Sequence, residues 1–444
     1  MKSQNMLLCT LLCFLANPSL RAENFCKLLA SWPTAIVVSD LIEEINQLGE
    51  LPNSYFNLNL EFQAWPISGW TDYKTLTGDV NGDGLTDLIW NITNSSANSM
   101  YVSLSNGDGT FNLLPNVQTW PIAGWSAFKT LTGDLNGDGR TDLIWNATTA
   151  SANATYVGLS NGDGTFNLLP NAQTWPISGW SAFKTLTGDL NGDGRTDLIW
   201  NATTASANAT YIGLSKGDGT FNLLPNAQTW PISGWSAFKT LTGDLNGDGR
   251  TDLIWNANTA SANATYVGLS NGDGTFNLLP NAQTWPISGW SAFKTLTGDL
   301  NGDGRTDLIW NATTVSGNTS YIGLSNGDGT LNLLPNFQTW PIAGWSTFNT
   351  FTGDFNGDGL TDLLWNVLSN TANTFYVGLS NGDGTLKLIT QFQTWGIPGW
   401  VGYQTLTGEL NGDGMLDLIW NKVNAAGNTI YTGLADFELI CVFN

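Results

Sequence analysis

Across residues 181–235, short apolar runs alternate with polar positions and are cut every few residues by Gly, Asn or Asp. Residues 183–188 read as a first strand leading into a polar loop. Residues 196–200, β-branched and aromatic, read as a second strand, 210–214 as a third and 220–224 as a fourth. Lys216-Gly217-Asp218-Gly219 supplies the left-handed positions of a tight hairpin between the last two. Residues 225–235 then cross to the next unit. The pattern returns every 55 residues, seven times. Four short strands per repeat, with little helix between them, predict an all-β fold, a seven-bladed β-propeller of four-stranded blades. One blade cannot bury both apolar faces, so its neighbours must cover them. Closing the ring also removes unpaired edges. The chain enters at residues 56–60, which match a fourth strand, and leaves after 429–434, which match a third. The first strand can therefore complete the last blade. An open β-solenoid is the alternative.

Between the first and second strands of every unit lies a loop rich in oxygen ligands. In the third copy Asp189, Asn191, Asp193 and Asp197 occupy positions 1, 3, 5 and 9. Gly194 stands at position 6, and Arg195 offers a backbone carbonyl at position 7. Hard oxygens at this spacing with a turn glycine are half of an EF-hand's ligand logic, and predict Ca2+. The same positions are Asp79, Asn81, Asp83, Leu85 and Asp87 in the first loop, and Asp134, Asn136, Asp138, Arg140 and Asp142 in the second. They are Asp244, Asn246, Asp248, Arg250 and Asp252 in the fourth, and Asp299, Asn301, Asp303, Arg305 and Asp307 in the fifth. The sixth has Asp354, Asn356, Asp358, Leu360 and Asp362; the seventh has Glu409, Asn411, Asp413, Met415 and Asp417. Up to seven ions are expected, bracing turns rather than acting on a substrate.

Composition sharpens this picture. The net charge is −21, and the loops hold 21 of the 36 acids. Six more acids sit in the Gly-Asp-Gly turns, so the acidity is first a metal-binding signature. No basic stripe exists, which argues against nucleic acid. Residues 1–22 carry a lysine, a short apolar run and a small residue at the end, the pattern of a secretory signal peptide. No later stretch is long enough to span a membrane, and an extracellular location is expected. Residues 23–54 form an extension in which Asp40-Leu41-Ile42-Glu43 starts one short helix. Residues 55–444 form the propeller. Cys26 and Cys441 remain after cleavage, a candidate disulfide tying the ends together, with two free thiols as the alternative.

Each unit also carries three tryptophans, which account for 21 of the 22 in the chain. Strand alternation puts the metal loop and the Gly-Asp-Gly turn on one side of the disc. The two other connections fall on the opposite side, which collects Trp, Gln, Asn, Ser and Thr with almost no charge. Aromatic planes beside amides and hydroxyls suit a neutral sugar, whose C–H face stacks while its hydroxyls are hydrogen-bonded. Trp120, Trp125, Trp175, Trp180, Trp230, Trp235, Trp285 and Trp290 are the candidate ligand-binding residues. Packing between blades is the competing role for the same rings. Asn146, Asn153, Asn201, Asn208, Asn263 and Asn311 match the N-glycosylation acceptor pattern.

The segment from Leu186-Thr187-Gly188-Asp189 to Trp200, then Tyr211-Ile212-Gly213-Leu214-Ser215 and the Gly-Asp-Gly-Thr-Phe turn, resembles the FG-GAP/VCBS repeat family. The resemblance covers residues 56–440 and implies integrin-α-like blades. Secreted seven-bladed lectins with such blades bind sugars between neighbouring blades. Three functions follow as expectations. The first is a secreted, Ca2+-stabilised propeller that binds glycans or glycoproteins multivalently. The second is a protein-binding or adhesion propeller with purely structural calcium. The third, an enzyme, is disfavoured by the absence of His and of any nucleophile–base pair.

Overall fold

The computed structural model describes residues 55–437, except 60–61, 67–68, 122–123, 176–178, 206, 231–233, 287–288, 336–337, 341–343 and 390–391. The expected signal peptide, the helix of the extension, Cys26 and Cys441 lie outside the described residues. The chain divides into two compact units, 58–434 and the combination of 1–57 with 435–444. In the smaller unit the described residues 55–57 meet 435–437. Tyr55 stacks on Phe437 at 5.4 Å, and Asn57 Nδ2 donates to Asp436 Oδ2 at 2.6 Å.

The larger unit is a ring of seven antiparallel sheets. The third blade shows the plan, with strands Lys184–Gly188, Asp197–Thr203, Asn208–Ser215 and Phe221–Leu223 in spatial order. The outermost strand has two pieces. Phe221–Leu223 pairs with Gly213–Ser215, and Gln228–Trp230 pairs with Asn208–Thr210. The crossing segment expected at 225–235 therefore contributes a strand piece. Pro225, which lacks an N–H, stands where the ladder breaks. Among the described residues the only helical turns are short 3-10 turns such as Trp180–Ala182.

Both faces of a blade are covered. Leu198, Ile199 and Trp200 are all fully buried. Leu198 and Trp200 pack with Leu135, Ile144 and Val157 of the preceding blade, whereas Ile199 packs with Leu253 and Trp255 of the next. This is strand alternation with a different neighbour on each side, which turns the second strand into a continuous apolar run. Close approach also dictates composition. A Cβ on Gly188 would stand 2.6 Å from the Thr251 side chain of the next blade.

A repeated polar joint closes the ring. Thr185 Oγ1 donates to Asn146 Oδ1 of the preceding blade at 2.6 Å, and the same bond joins all seven neighbours. The seam between the last and first blades has it too, from Thr75 to Asn421 at 2.6 Å. At that seam the N-terminal segment completes the last blade. Gln63–Trp65 pairs with Asn428–Ile430, and Asn59 N donates to Thr432 O at 2.9 Å. The open solenoid is thereby excluded.

Candidate metal loops and ligand face

The loops fold around their own carboxylates. In the third, Asp189 Oδ1 accepts from Gly192 N at 2.8 Å, and its Oδ2 accepts from Gly194 N at 2.8 Å. Both glycines are left-handed, at φ 73 and 78, which L side chains rarely adopt. Asn191 donates to Asp193 Oδ2 at 2.9 Å, and Asp193 Oδ1 accepts from Arg195 N at 3.0 Å. Asp197 is fully buried and accepts from Leu190 N at 3.0 Å and Ser215 N at 2.7 Å. Neighbouring loops are joined by their backbones, Thr251 N donating to Asp189 O at 2.6 Å. In the seventh loop the longer Glu409 reaches the same partners, Gly412 N at 2.7 Å and Gly414 N at 2.6 Å.

The donor set is right for a hard cation: three carboxylates and an amide oxygen in one turn. Burial pushes Asp197 up to about 6, and Asp193 and Asp189 push it in the same direction against two backbone N–H bonds. Asp362 is pushed up to about 8, again chiefly by burial. A divalent ion would relieve that repulsion. Among the described residues, however, no three Asp, Glu, His or Cys side chains are gathered closely enough to hold a metal as the loops stand. In four loops an internal cation already sits on position 5: Arg140, Arg195, Arg250 and Arg305 pair with Asp138, Asp193, Asp248 and Asp303. The other three loops carry Leu85, Leu360 and Met415 there instead.

On the opposite face the eight candidate tryptophans divide into two sets. Trp125, Trp180, Trp235 and Trp290 are 1% exposed. Trp180 lies edge-on to Trp200 at 5.4 Å and against Tyr211 at 4.8 Å, so its ring faces are occupied by packing. Trp120, Trp175, Trp230 and Trp285 are half-buried in strand pieces, each edge-on to a buried tryptophan, as Trp175 is to Trp200 at 5.2 Å. Exposed Thr174 precedes Trp175.

The amides expected to face a ligand are largely committed to the fold. Gln173 spans to the next blade, accepting from Phe221 N at 2.8 Å and donating to Gly219 O at 3.2 Å. Asn201 accepts from Thr240 Oγ1 and Trp255 Nε1 of the next blade. Asn146, Asn153, Asn201, Asn208, Asn263 and Asn311 are at most 3% exposed, so the folded chain offers none of them for glycosylation.

This face is also not free of charge. Lys74, Lys129, Lys184, Lys239 and Lys294 begin the first strands, at the end remote from the metal loops, and all five are exposed. The signal was present in the sequence, one lysine opening the first strand of each of five units, but it registered only as strand composition.

Comparison with known proteins agrees with the fold. A model of the FG-GAP-like repeat matches residues 79–145, 134–200, 189–255, 244–310 and 299–365, more than half of the chain. A search of curated proteins finds no match. Among solved structures, the core factor of S. cerevisiae aligns at TM-score 0.49 and 10% identity, over 90% of this chain and 64% of that one. BBS1N in complex with ARL6DN aligns at 0.47 and 10%, over 87% and 98%. The exotype rhamnogalacturonan lyase YesX aligns at 0.42 and 12%, over 85% and 76%. Likenesses this distant carry no inference about this chain. Among the described residues no helix is long and apolar enough to cross a membrane. Repeat by repeat, from the Asp-rich loop to the buried tryptophan of the next blade, the chain belongs to the FG-GAP-like repeat family.

Proposed function

We propose that this protein is a secreted propeller that binds carbohydrate through repeated sites on its tryptophan face, with calcium bracing the loops of the other face and without catalysis. The observation that carries the reading is the half-open set Trp120, Trp175, Trp230 and Trp285. Each is an aromatic wall fixed by a buried tryptophan behind it, and a rigid ring loses little freedom on stacking against a sugar. Nearly identical units multiply the site, so weak single contacts gain from effective concentration on a glycan-coated surface. Asp189, Asn191, Asp193, Asp197 and the Arg195 carbonyl would hold calcium in the third loop, and their equivalents in the others. The ion would supply positive charge that keeps the loop closed.

A protein partner is the second reading. Phe62, Phe392 and Val117 are 54%, 51% and 42% exposed, large apolar side chains each one residue before a strand piece of this face. A glycan array probed with calcium-loaded protein separates the two. Binding to a coherent sugar class, lost in a Trp120, Trp175, Trp230 and Trp285→Ala variant that still melts cooperatively, supports the first. A blank array with folded protein refutes it in favour of the second.

A further inference from the structure

We propose that the lysine-bearing rim at the seam between the last and first blades is a site for a negatively charged sugar, a uronate unit of an acidic polysaccharide. The proposal rests on the carbohydrate reading above and names its ligand class.

Charge is segregated across the ring. The loop and turn carboxylates lie on one face, and the five lysines on the other. No ion pair joins these lysines to a carboxylate among the described residues. Asp72, in the 3-10 turn at Trp70–Asp72, is the one acid near them on the described part of this face. The lysines begin the innermost strands, and strands of adjacent blades come within 8 Å between Cα atoms at the first and second, fifth and sixth, and last and first blades. They therefore form an arc around the ring axis, completed by the exposed amides Asn349 and Gln404 of the last two blades. At physiological salt the screening length is about 8 Å, so an anion on this rim sees the lysines far more than the carboxylates of the other face.

The seam adds a half-open pocket. A pocket of about 360 Å³ lies there, lined among others by Tyr73, Lys74, Leu76, Gln404 and Val423. That volume is at the small end of ligand pockets. The seam departs from the other blades in composition. Tyr73 and Tyr403 replace the phenylalanine found at Phe128, Phe183, Phe238, Phe293 and Phe348. Gly402, which lines the pocket, stands where Ala182 stands in the third blade. Lys422 approaches the same place, donating to Val401 O at 3.0 Å and lying 5.3 Å over the Tyr403 ring. An aromatic wall, apolar side chains, an amide and an ammonium match a pyranose ring with one carboxylate. The cations here are lysines, which act as point charges; the arginines among residues 55–437, whose planar forks suit phosphate, all belong to the metal loops.

The test uses the full chain in a fixed, low calcium concentration. Titration calorimetry compares a uronate tetrasaccharide with its carboxyl-reduced neutral counterpart. The variants are Lys74→Gln and the fivefold Lys74, Lys129, Lys184, Lys239 and Lys294→Gln protein. Asn349 and Gln404 already place amides at this position, so the fold should hold, and a thermal melt checks it. The expected result is uronate binding that weakens with salt, falls about two- to fivefold in the single variant, and is lost in the fivefold one. The neutral sugar should bind at least about tenfold more weakly, because removing the carboxylate ends its interaction with every lysine of the rim at once. Equal binding of both sugars, unmoved by the fivefold change, overturns the proposal and leaves the neutral-sugar reading. No binding here while the array still captures neutral glycans does the same. A blank array as well overturns both. Displacement by single-stranded DNA of equal charge at equal concentration would show that charge alone is read, and would overturn the uronate assignment.

Discussion

Replacing Asn201 by alanine should break one joint of the ring. Asn201 is 2% exposed, and its amide serves two blades at once. Its Oδ1 accepts from Thr240 Oγ1 at 2.6 Å and Trp255 Nε1 at 3.3 Å, both in the next blade. Its Nδ2 donates to Asn208 Oδ1 at 2.6 Å and Thr210 Oγ1 at 2.7 Å in its own blade. Alanine removes these four bonds and a longer fifth, from Nδ2 to Ala209 O at 3.3 Å. Thr240 is half-buried and its hydroxyl can rotate toward another acceptor, but Trp255 is fully buried and its N–H has no freedom to do so. An orphaned buried donor costs about 1–3 kcal/mol, and the abandoned Asn208 oxygen a similar amount. The expected loss is therefore about 2–6 kcal/mol, a large share of a typical 5–15 kcal/mol stability. Urea unfolding followed by tryptophan fluorescence reads it as a lower midpoint at unchanged slope. Pairing the change with Trp255→Phe, which deletes the orphaned N–H, should recover about 1 kcal/mol as coupling. A loss under about 0.5 kcal/mol with no coupling would refute the reasoning, because the joint would then be replaceable by water.

On the calcium reading, thorough chelation should lower the melting temperature, because an ion held only by the folded loops would stabilise the fold; an unchanged melt would sink that reading. In chelator, pH should act in a particular direction. Asp87, Asp142, Asp197, Asp252 and Asp307 are held up near 6 by burial, so the folded chain keeps protons that the unfolded chain releases from about 4 upward. Stability of the metal-free protein should fall as pH rises from 4 through 6; melts that rise over this window in chelator would contradict it. Trp180→Ala should cost about 3–5 kcal/mol, whereas Trp175→Ala should cost clearly less and abolish its share of glycan binding; equal losses in a denaturation series would remove the distinction between buried and half-open rings. Arg195→Leu, which reproduces the residue already at Leu85, should change stability in calcium by under about 1 kcal/mol, because the ion pair is partly exposed. A larger calorimetric loss would mean the arginine, not a metal, holds the loop.

The sequence carried the periodic part of this protein. A 55-residue spacing, two-residue alternation and glycine-punctuated turns dictate local structure, and seven copies that cannot bury themselves alone dictate a closed ring. The entry and exit points of the chain within a repeat were enough to foresee that the N-terminal segment would complete the last blade, though not that Gln63–Trp65 would be part of it. Which side chains stay open was a different matter. Trp175 and Trp180 look alike in sequence, flanking one short loop, yet one is half-buried and the other 1% exposed. Their difference depends on what packs over each ring: Trp200, Tyr211 and Phe183 close over Trp180, whereas among the described rings Trp175 meets only Trp200, edge-on. Asn201 and Gln173 read as ligand-facing amides until the neighbouring blade supplied their partners. The lysine arc and the seam cavity required the ring itself, because residues 55 positions apart become neighbours only when identical strands are set side by side around one axis. Local pattern is a property of consecutive residues and is written in the chain; exposure and charge fields are sums over neighbours, and tertiary structure alone decides who those neighbours are.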